Sequence, residues 1–237
     1  MKYDAKLKKI ITKEWGNEFP TLTILKPTRL IRRNGPILVG ICLDRESNPE
    51  VYKPIVHIHN LCYIDSDISI SLAGYVLSDK GLPTVVKLKY HSETFLHFVQ
   101  KIKLDYPFTD KSEMSFNDIV VATQKYVTGR TAPYQHKPYN DLITIAAYLG
   151  KKEYALESLE NFSAIISEWP DRAFNIIGSV DKWRNSLLEL IDNTDKLRET
   201  VDQEIVKHKL VKFMDNGLIW PEKPLNLWEM PCKPMFA

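Results

Sequence analysis

Glycine is scarce in this chain, with 9 residues among 237, and several kinds of active site depend on it. Loops that cradle phosphates need glycine so that backbone N–H groups can approach the ligand. The sequence has no Walker loop, dinucleotide fingerprint, nucleophile elbow or H-E-x-x-H motif. It therefore offers no catalytic motif, and we expect no cofactor.

Cysteine is also sparse, and long apolar runs are missing. Cys42, Cys62 and Cys232 form neither a C-x-x-C pair nor a regular framework, which is typical of a reducing compartment. The first residues lack the apolar core of a secretory signal. No apolar run approaches the roughly 18 residues of a membrane-spanning helix. We therefore expect a cytoplasmic protein with no membrane partner.

The net charge of +2 predicts no strong attraction to nucleic acid or membrane, but the charge is unevenly distributed. Residues 1–60 carry 11 basic and 6 acidic side chains, a net of +5. Residues 151–215 carry 10 basic and 13 acidic side chains, a net of −3. The asymmetry fits two parts that attract each other, parts that face different partners, or solvated faces of unrelated sign.

The N-terminal half is predicted to be one helix followed by a sheet. Asp4 can cap a helix whose apolar residues recur at intervals of three and four, namely Leu7, Ile10, Ile11 and Trp15. From about residue 21 to 90 the period changes to two, and Asn34-Gly35 predicts a hairpin. Further strands are predicted in 53–61, 66–77 and 83–90. The short connections exclude crossover helices, so we expect about five mainly antiparallel strands.

After Tyr90 the pattern is helical. Predicted helix starts are Ser92, a capping box at Ser115 and Asp118, and Asn140 or Asp141. The segment around Gly150 resembles the middle of a tetratricopeptide repeat over about 20 residues, but no second copy follows, so an ordinary helical hairpin is expected. Residues 192–195 are predicted to interrupt the long helical pattern that follows Ser179. We expect an α+β fold, with a sheet domain in 1–128 and a helical domain in 129–237; packing of the two as one unit is the alternative.

The C-terminal tail, with four prolines after Gly217, is predicted to be an extended strap rather than a helix. Its proposed anchors, which are also the candidate partner-binding residues, are Trp220, Trp228 and Phe236. Packing on its own domain and docking on a partner are the two alternatives.

Two histidines, His57 and His59, stand one residue apart in a predicted strand. Alternate residues of a strand point to one face, so the two side chains lie roughly 6–7 Å apart. Such a pair can supply two metal ligands, but zinc needs three or four. Possible third ligands, none at a diagnostic spacing, are Asp44, Asp65, Asp67, His91 and His97. The alternative is two partly exposed sheet residues.

A basic cluster in the first strands is the second candidate site, formed by Lys26, Arg29, Arg32 and Arg33. It predicts an anion-binding or nucleic-acid-binding patch, or else a charged sheet edge that resists aggregation. On a flat strand Arg29 and Arg33 share a face and Arg32 lies on the other.

The sequence favours a non-catalytic, intracellular protein-binding or adaptor protein of bacterial or phage type, with a protein as its partner. A metal-dependent hydrolase that uses His57 and His59 is one alternative. A nucleic-acid-binding protein that uses the basic sheet face is the other.

Overall fold

A computed structural model describes residues 3–128 and 136–230. Within them the fold is α+β, with an N-terminal helix, an antiparallel sheet and a helical C-terminal half, so the predicted fold class is confirmed. The helices are α1 Ala5–Glu18, α2 His91–Asp105, α3 Phe116–Val127, α4 Lys137–Tyr148, α5 Lys152–Ser167, α6 Phe174–Ile177, α7 Val180–Asp192 and α8 Thr194–Lys207. Short 3₁₀ helices occupy Leu88–Tyr90, Pro107–Thr109, Asp171–Ala173 and Leu227–Glu229.

The described sheet has six strands in the order β1-β2-β3-β4-β5, and β6 also pairs with β4. They are β1 Thr23–Lys26, β2 Arg29–Asn34, β3 Ile37–Arg45, β4 Val51–Asn60, β5 Gly74–Tyr75 and β6 Val86–Lys87. The pairs β1–β2, β2–β3, β4–β5 and β4–β6 are antiparallel. Residues 66–77 and 83–90 therefore contribute only two strand residues each, much less than their alternation predicts.

The predicted hairpin between β2 and β3 is present, one residue further along than expected. Asn34 pairs with Ile37, so the two central residues of the turn are Gly35 and Pro36. Gly35 has a φ of +58°, a backbone conformation that glycine adopts without strain. The first seven residues of β3, Ile37 to Leu43, are all buried, as a strand that is apolar on both faces requires.

Helix ends follow the predicted caps at some positions and not at others. Asp4 accepts a hydrogen bond from the Leu7 N–H at 2.8 Å, and Ser115 forms its capping box with Asp118. Ser92 is not a cap, because α2 begins one residue earlier, at His91. The predicted cap at Asn140 or Asp141 is also wrong, because α4 begins at Lys137, immediately after His136.

The helical hairpin and the predicted interruption are both present. Gly150, with a φ of +72°, lies in the short turn between α4 and α5. Asn193 separates α7 from α8, and its side chain accepts a hydrogen bond from the Lys196 N–H at 3.1 Å.

The described chain divides into two compact units, and each unit consists of stretches that are not contiguous in the sequence. The sheet unit contains the described residues up to His59, then Ile68–Met114 and Lys212–Ile219. The helical unit contains Asn60–Asp67, Ser115–Val211 and the described residues from Trp220 onwards. This division places α3 with α4–α8, whereas the predicted boundary lies after residue 128. Among the described residues no helix is long and apolar enough to cross a membrane.

Candidate functional site

The two histidines of β4 lie in the core of the sheet unit. His57 and His59 are both fully buried, so the interpretation as partly exposed sheet residues is wrong. The reason lies in the neighbouring strand, where Gly40 leaves room for an imidazole. A Cβ built on Gly40 would lie 2.7 Å from His57 Nε2. The histidine side chain therefore occupies the space above a residue without a side chain.

His57 is held as a neutral imidazole. Burial, more than the nearby charges of Arg29 and His59, lowers its pKa to about 3. Neither ring nitrogen of His57 has a hydrogen-bond partner within the described residues. A buried polar group without a partner costs about 1–3 kcal/mol. His57 thus lowers the stability of the core that it helps to fill.

His59 sits in a short polar chain on the same strand. Its Nδ1 lies 2.9 Å from Ser69 Oγ, which in turn lies 2.7 Å from Ser71 Oγ. The Ile58 N–H donates to the Ser71 carbonyl at 3.1 Å. These contacts attach the segment after residue 68 to β4, so they explain His59 as a structural residue.

Within residues 3–128 and 136–230 the structure brings no third ligand to the histidine pair. No group of three His, Cys, Asp or Glu side chains that could hold a metal ion occurs in the described part of the chain. Of the possible third ligands, His91 bonds elsewhere and His97 is exposed on α2. Metal binding by His57 and His59 stays a prediction, without a ligand set to support it.

The four basic residues of the predicted anion site do not share a surface. Arg29 donates to the Ile68 carbonyl and, at 3.8 Å, to Cys42 Sγ. Arg33 forms an ion pair with Asp215 at 3.0 Å, and Lys26 is exposed at the end of β1.

Arg32 is an internal residue of the sheet unit, only 3% exposed. Its guanidinium donates to Asn34 Oδ1 at 2.7 Å and to the Phe108 carbonyl at 3.0 Å. It also donates to the Lys111 carbonyl. Because its donors are used inside the protein, Arg32 ties β2 to the segment after α2 and is not available to a phosphate.

A carboxylate–imidazole–hydroxyl chain, missed by sequence reasoning, links α1, β4 and α2. His91 Nε2 lies 2.8 Å from Glu14 Oε2, and His91 Nδ1 lies 2.9 Å from Tyr52 Oη. The Trp15 indole N–H donates to the same Tyr52 oxygen at 2.9 Å. The order of groups is that of a catalytic triad, but Tyr52 is fully buried and no substrate can reach its hydroxyl. The chain is a satisfied core network.

The helical unit contains a buried carboxyl group, also missed by sequence reasoning. Asp141, on α4, is 7% exposed and its Oδ1 accepts from Asn60 Nδ2 at 3.0 Å. The same amide donates to Thr144 Oγ1 at 2.9 Å. Burial raises the pKa of Asp141 to about 7, and the Asn60 hydrogen bond offsets only part of that effect.

The two described tryptophans of the predicted strap contact their own unit. The Trp220 ring centroid lies 4.6 Å from that of Phe116, and Trp228 lies 5.6 Å from Phe162. The Tyr154 hydroxyl donates to the Leu225 carbonyl at 2.7 Å, which fixes the chain between them. Phe236, the third predicted anchor, and Cys232 lie outside the described residues.

One exposed surface stands out, the lysine face of α1, which consists of Lys6, Lys9 and Lys13. The three side chains are exposed and fall within an arc of about 60° on an ideal helix. Within the described residues none of them has an ion pair, whereas Glu14 on the same helix bonds to His91. Ile10, 46% exposed, lies in the same face. In the sequence, the spacing of three and four residues between these lysines, within a predicted helix, was the signal that could have identified this face.

Comparison with known proteins identifies no relative: no family model, no curated protein and no solved structure matches this chain.

Proposed function

We propose that this chain is a non-catalytic protein-binding protein that recognises an acidic protein surface through the lysine face of α1. The observation that carries the proposal is the set of three exposed lysines, without ion pairs in the described chain, on one face of a helix. Such a face attracts negative charge and steers association.

The histidine pair of β4 and the hydroxyl of the triad-like chain lie inside the core. His57, His59 and Tyr52 are each fully buried. General acid–base or nucleophilic catalysis requires contact with a substrate atom. These side chains therefore support a structural role, and the non-catalytic proposal follows.

A protein is favoured over nucleic acid as the partner because Ile10 lies among the lysines. A phosphate backbone is bound by charge and hydrogen bonds and gains little from an apolar side chain. Protein interfaces, in contrast, have an apolar centre and a polar rim. An exposed isoleucine flanked by lysines on a helix face has that arrangement.

We propose a cytoplasmic location on the strength of the thiols. Cys42 and Cys62 are both buried and neither forms a disulfide. Cysteines without a disulfide are usual in a reducing compartment, where thiols are kept reduced.

The test is capture from extract of the native host, with and without nuclease treatment, using three baits. They are the wild-type chain, the triple variant Lys6→Glu, Lys9→Glu, Lys13→Glu, and a charge-matched control, Lys80→Glu, Lys182→Glu, Lys223→Glu, whose exposed lysines lie on separate segments. We expect one protein to be retained by the wild type and the control and lost by the lysine-face variant. Its binding must then be reproduced with two purified proteins.

Two results would overturn the proposal. One is that no captured protein depends on the lysine face. The other is that the lysine-dependent material is removed by nuclease, which would assign the surface to nucleic acid. Circular dichroism of each bait shows whether it is folded.

A further inference from the structure

A second charged helix face, of opposite sign, occurs on α5 in the helical unit. The acidic face of α5 consists of Glu153, Glu157 and Glu160, all exposed. Glu160 also accepts from Arg184 of α7. The lysines that precede the face are already engaged: Lys152 pairs with Asp192 at 2.7 Å, and Lys151 lies over the Trp220 ring.

The two faces have the same length and reversed spacing. Lys6 and Lys13 are seven residues apart, as are Glu153 and Glu160, which corresponds to about 10.5 Å along each helix. The middle lysine lies three residues after Lys6, and the middle glutamate lies three residues before Glu160.

Because the spacing is reversed, an antiparallel arrangement places the members of all three charge pairs at the same height along the two helix axes. Lys6 is then level with Glu160, Lys9 with Glu157 and Lys13 with Glu153. A parallel arrangement would place the middle charges about 1.5 Å out of line. Each face also carries one apolar side chain at its border, Ile10 on α1 and the partly exposed Leu156 on α5.

We propose that the lysine face of α1 binds the acidic face of α5 in a second copy of this chain, with the two helices antiparallel. The inference rests on the proposed function, since it names the partner of the same lysine face. The charge complementarity favours a second copy, because the matching acidic face is present on the chain itself.

The contact joins two different surfaces, so it closes into a two-fold dimer in which it is made twice, closes into a larger ring, or continues as an open chain. It depends on exposed ion pairs, which salt screens within a Debye length of about 10 Å at 0.1 M. Association should therefore be weak, grow with protein concentration and disappear at high salt.

The experiment is sedimentation velocity of the full chain at about 50 mM and about 500 mM NaCl, a range over which exposed charge pairs become screened. One variant carries Lys9→Glu and Lys13→Glu, and the other carries Glu153→Lys and Glu157→Lys. Both leave Glu160 and Arg184 unchanged. The control carries Lys80→Glu and Lys182→Glu.

We expect the wild type and the control to associate at low salt, and each face variant alone to sediment as a monomer. An equimolar mixture of the two face variants should associate again, because the intact lysine face of the α5 variant matches the intact acidic face of the α1 variant, and the two reversed faces match each other as well. This recovery cannot arise from misfolding of a variant.

Three results would overturn the inference: a monomeric wild type at low salt, association that both variants retain, or a mixture that stays monomeric. A monomeric wild type whose lysine face still captures another protein would remove only this inference. Loss of both self-association and capture would remove the proposed function as well.

Discussion

Gly40 shows how a single missing side chain determines the surroundings of His57. A Cβ at this position would overlap the Leu30 carbonyl oxygen and would lie 2.7 Å from His57 Nε2. The first contact involves backbone, which cannot rotate away. The position therefore requires glycine for space, although its φ is not in the left-handed region.

We expect Gly40→Ala to lower the free energy of unfolding by about 1–3 kcal/mol, as overpacking of a core does. Denaturant unfolding measures the change. The matched control is Gly16→Ala in α1, where the nearest contact would be a flexible Leu30 methyl at 3.3 Å and alanine favours the helix. Adding His57→Ala, which removes the imidazole, should not restore the stability of the Gly40→Ala variant, because the clash with the Leu30 carbonyl remains. An equal loss of unfolding free energy in Gly40→Ala and in Gly16→Ala would contradict this account.

Asp141 makes the stability of the helical unit depend on pH. Burial raises its folded-state pKa from the usual 3.8 to about 7. The stability that the protonated group contributes is therefore present below about pH 4 and is lost as pH rises through 7.

We expect Asp141→Asn to be more stable than the wild type at pH 8, by roughly 2–4 kcal/mol, and to show less dependence on pH between 4 and 8. The amide keeps an oxygen for the Asn60 donor but carries no buried charge. Unfolding midpoints at pH 5 and pH 8 provide the measurement. Asp202→Asn, an exposed position on α8, is the control and should follow the wild type. A variant with unchanged pH dependence would refute the assignment.

Among the elements of the sheet unit, α1, β4 and α2 meet at one tyrosine. Tyr52 Oη receives the Trp15 indole N–H at 2.9 Å and lies 2.9 Å from His91 Nδ1. The ring also stacks on Tyr3 at a centroid distance of 5.3 Å. Three elements distant in sequence thus share one hydroxyl group.

We expect Tyr52→Phe to cost about 1–3 kcal/mol, because it leaves a buried indole N–H without an acceptor while the ring stacking is kept. Tyr90→Phe, with a side chain 40% exposed, is the matched control and should change stability by less than about 0.5 kcal/mol. Chemical unfolding followed by circular dichroism compares the two. Similar values for both variants would show that the network contributes nothing.

The sequence predicted the start of a helix correctly only where the capping residue determines that start. Ser115 and Asp118 satisfy each other's backbone donors, and the helix begins where the pattern predicts. Ser92 has the right residue type, yet α2 already begins at His91, whose ring is fixed by Glu14 and Tyr52. Contacts with distant elements override a cap preference of about 1 kcal/mol.

At the scale of the whole molecule, the contacts of the C-terminal strap show whether its aromatic side chains pack on the protein itself. Trp220 contacts Phe116 at 4.6 Å and Tyr154 at 5.2 Å between ring centroids. Asn117 receives the Leu225 N–H at 2.8 Å and donates to the Lys223 carbonyl at 3.2 Å. The described strap therefore packs on the helical unit, which supports the first of the two sequence-based alternatives.

We expect Trp220→Ala to lower the free energy of unfolding by about 1–3 kcal/mol, less than a fully buried tryptophan, because the side chain is half-buried. Trp220→Phe retains an aromatic ring and should lose less than half of that amount. Denaturant titrations of both variants test the order. An alanine variant as stable as the wild type would return the tryptophan to the list of partner-binding candidates.

The order and type of the elements follow from local chemistry, because periodicity of two or of three to four residues is visible in any short window. That information was enough for the α+β class, the β2–β3 hairpin and the break at Asn193. It was not enough to say what covers each face. The burial of His57 and His59, the internal bonds of Arg32 and the Glu14–His91–Tyr52 chain all join residues far apart in sequence. Periodicity shows which side chains share a face, but burial and hydrogen bonding depend on the segment that packs against that face, and this arises only when the chain folds.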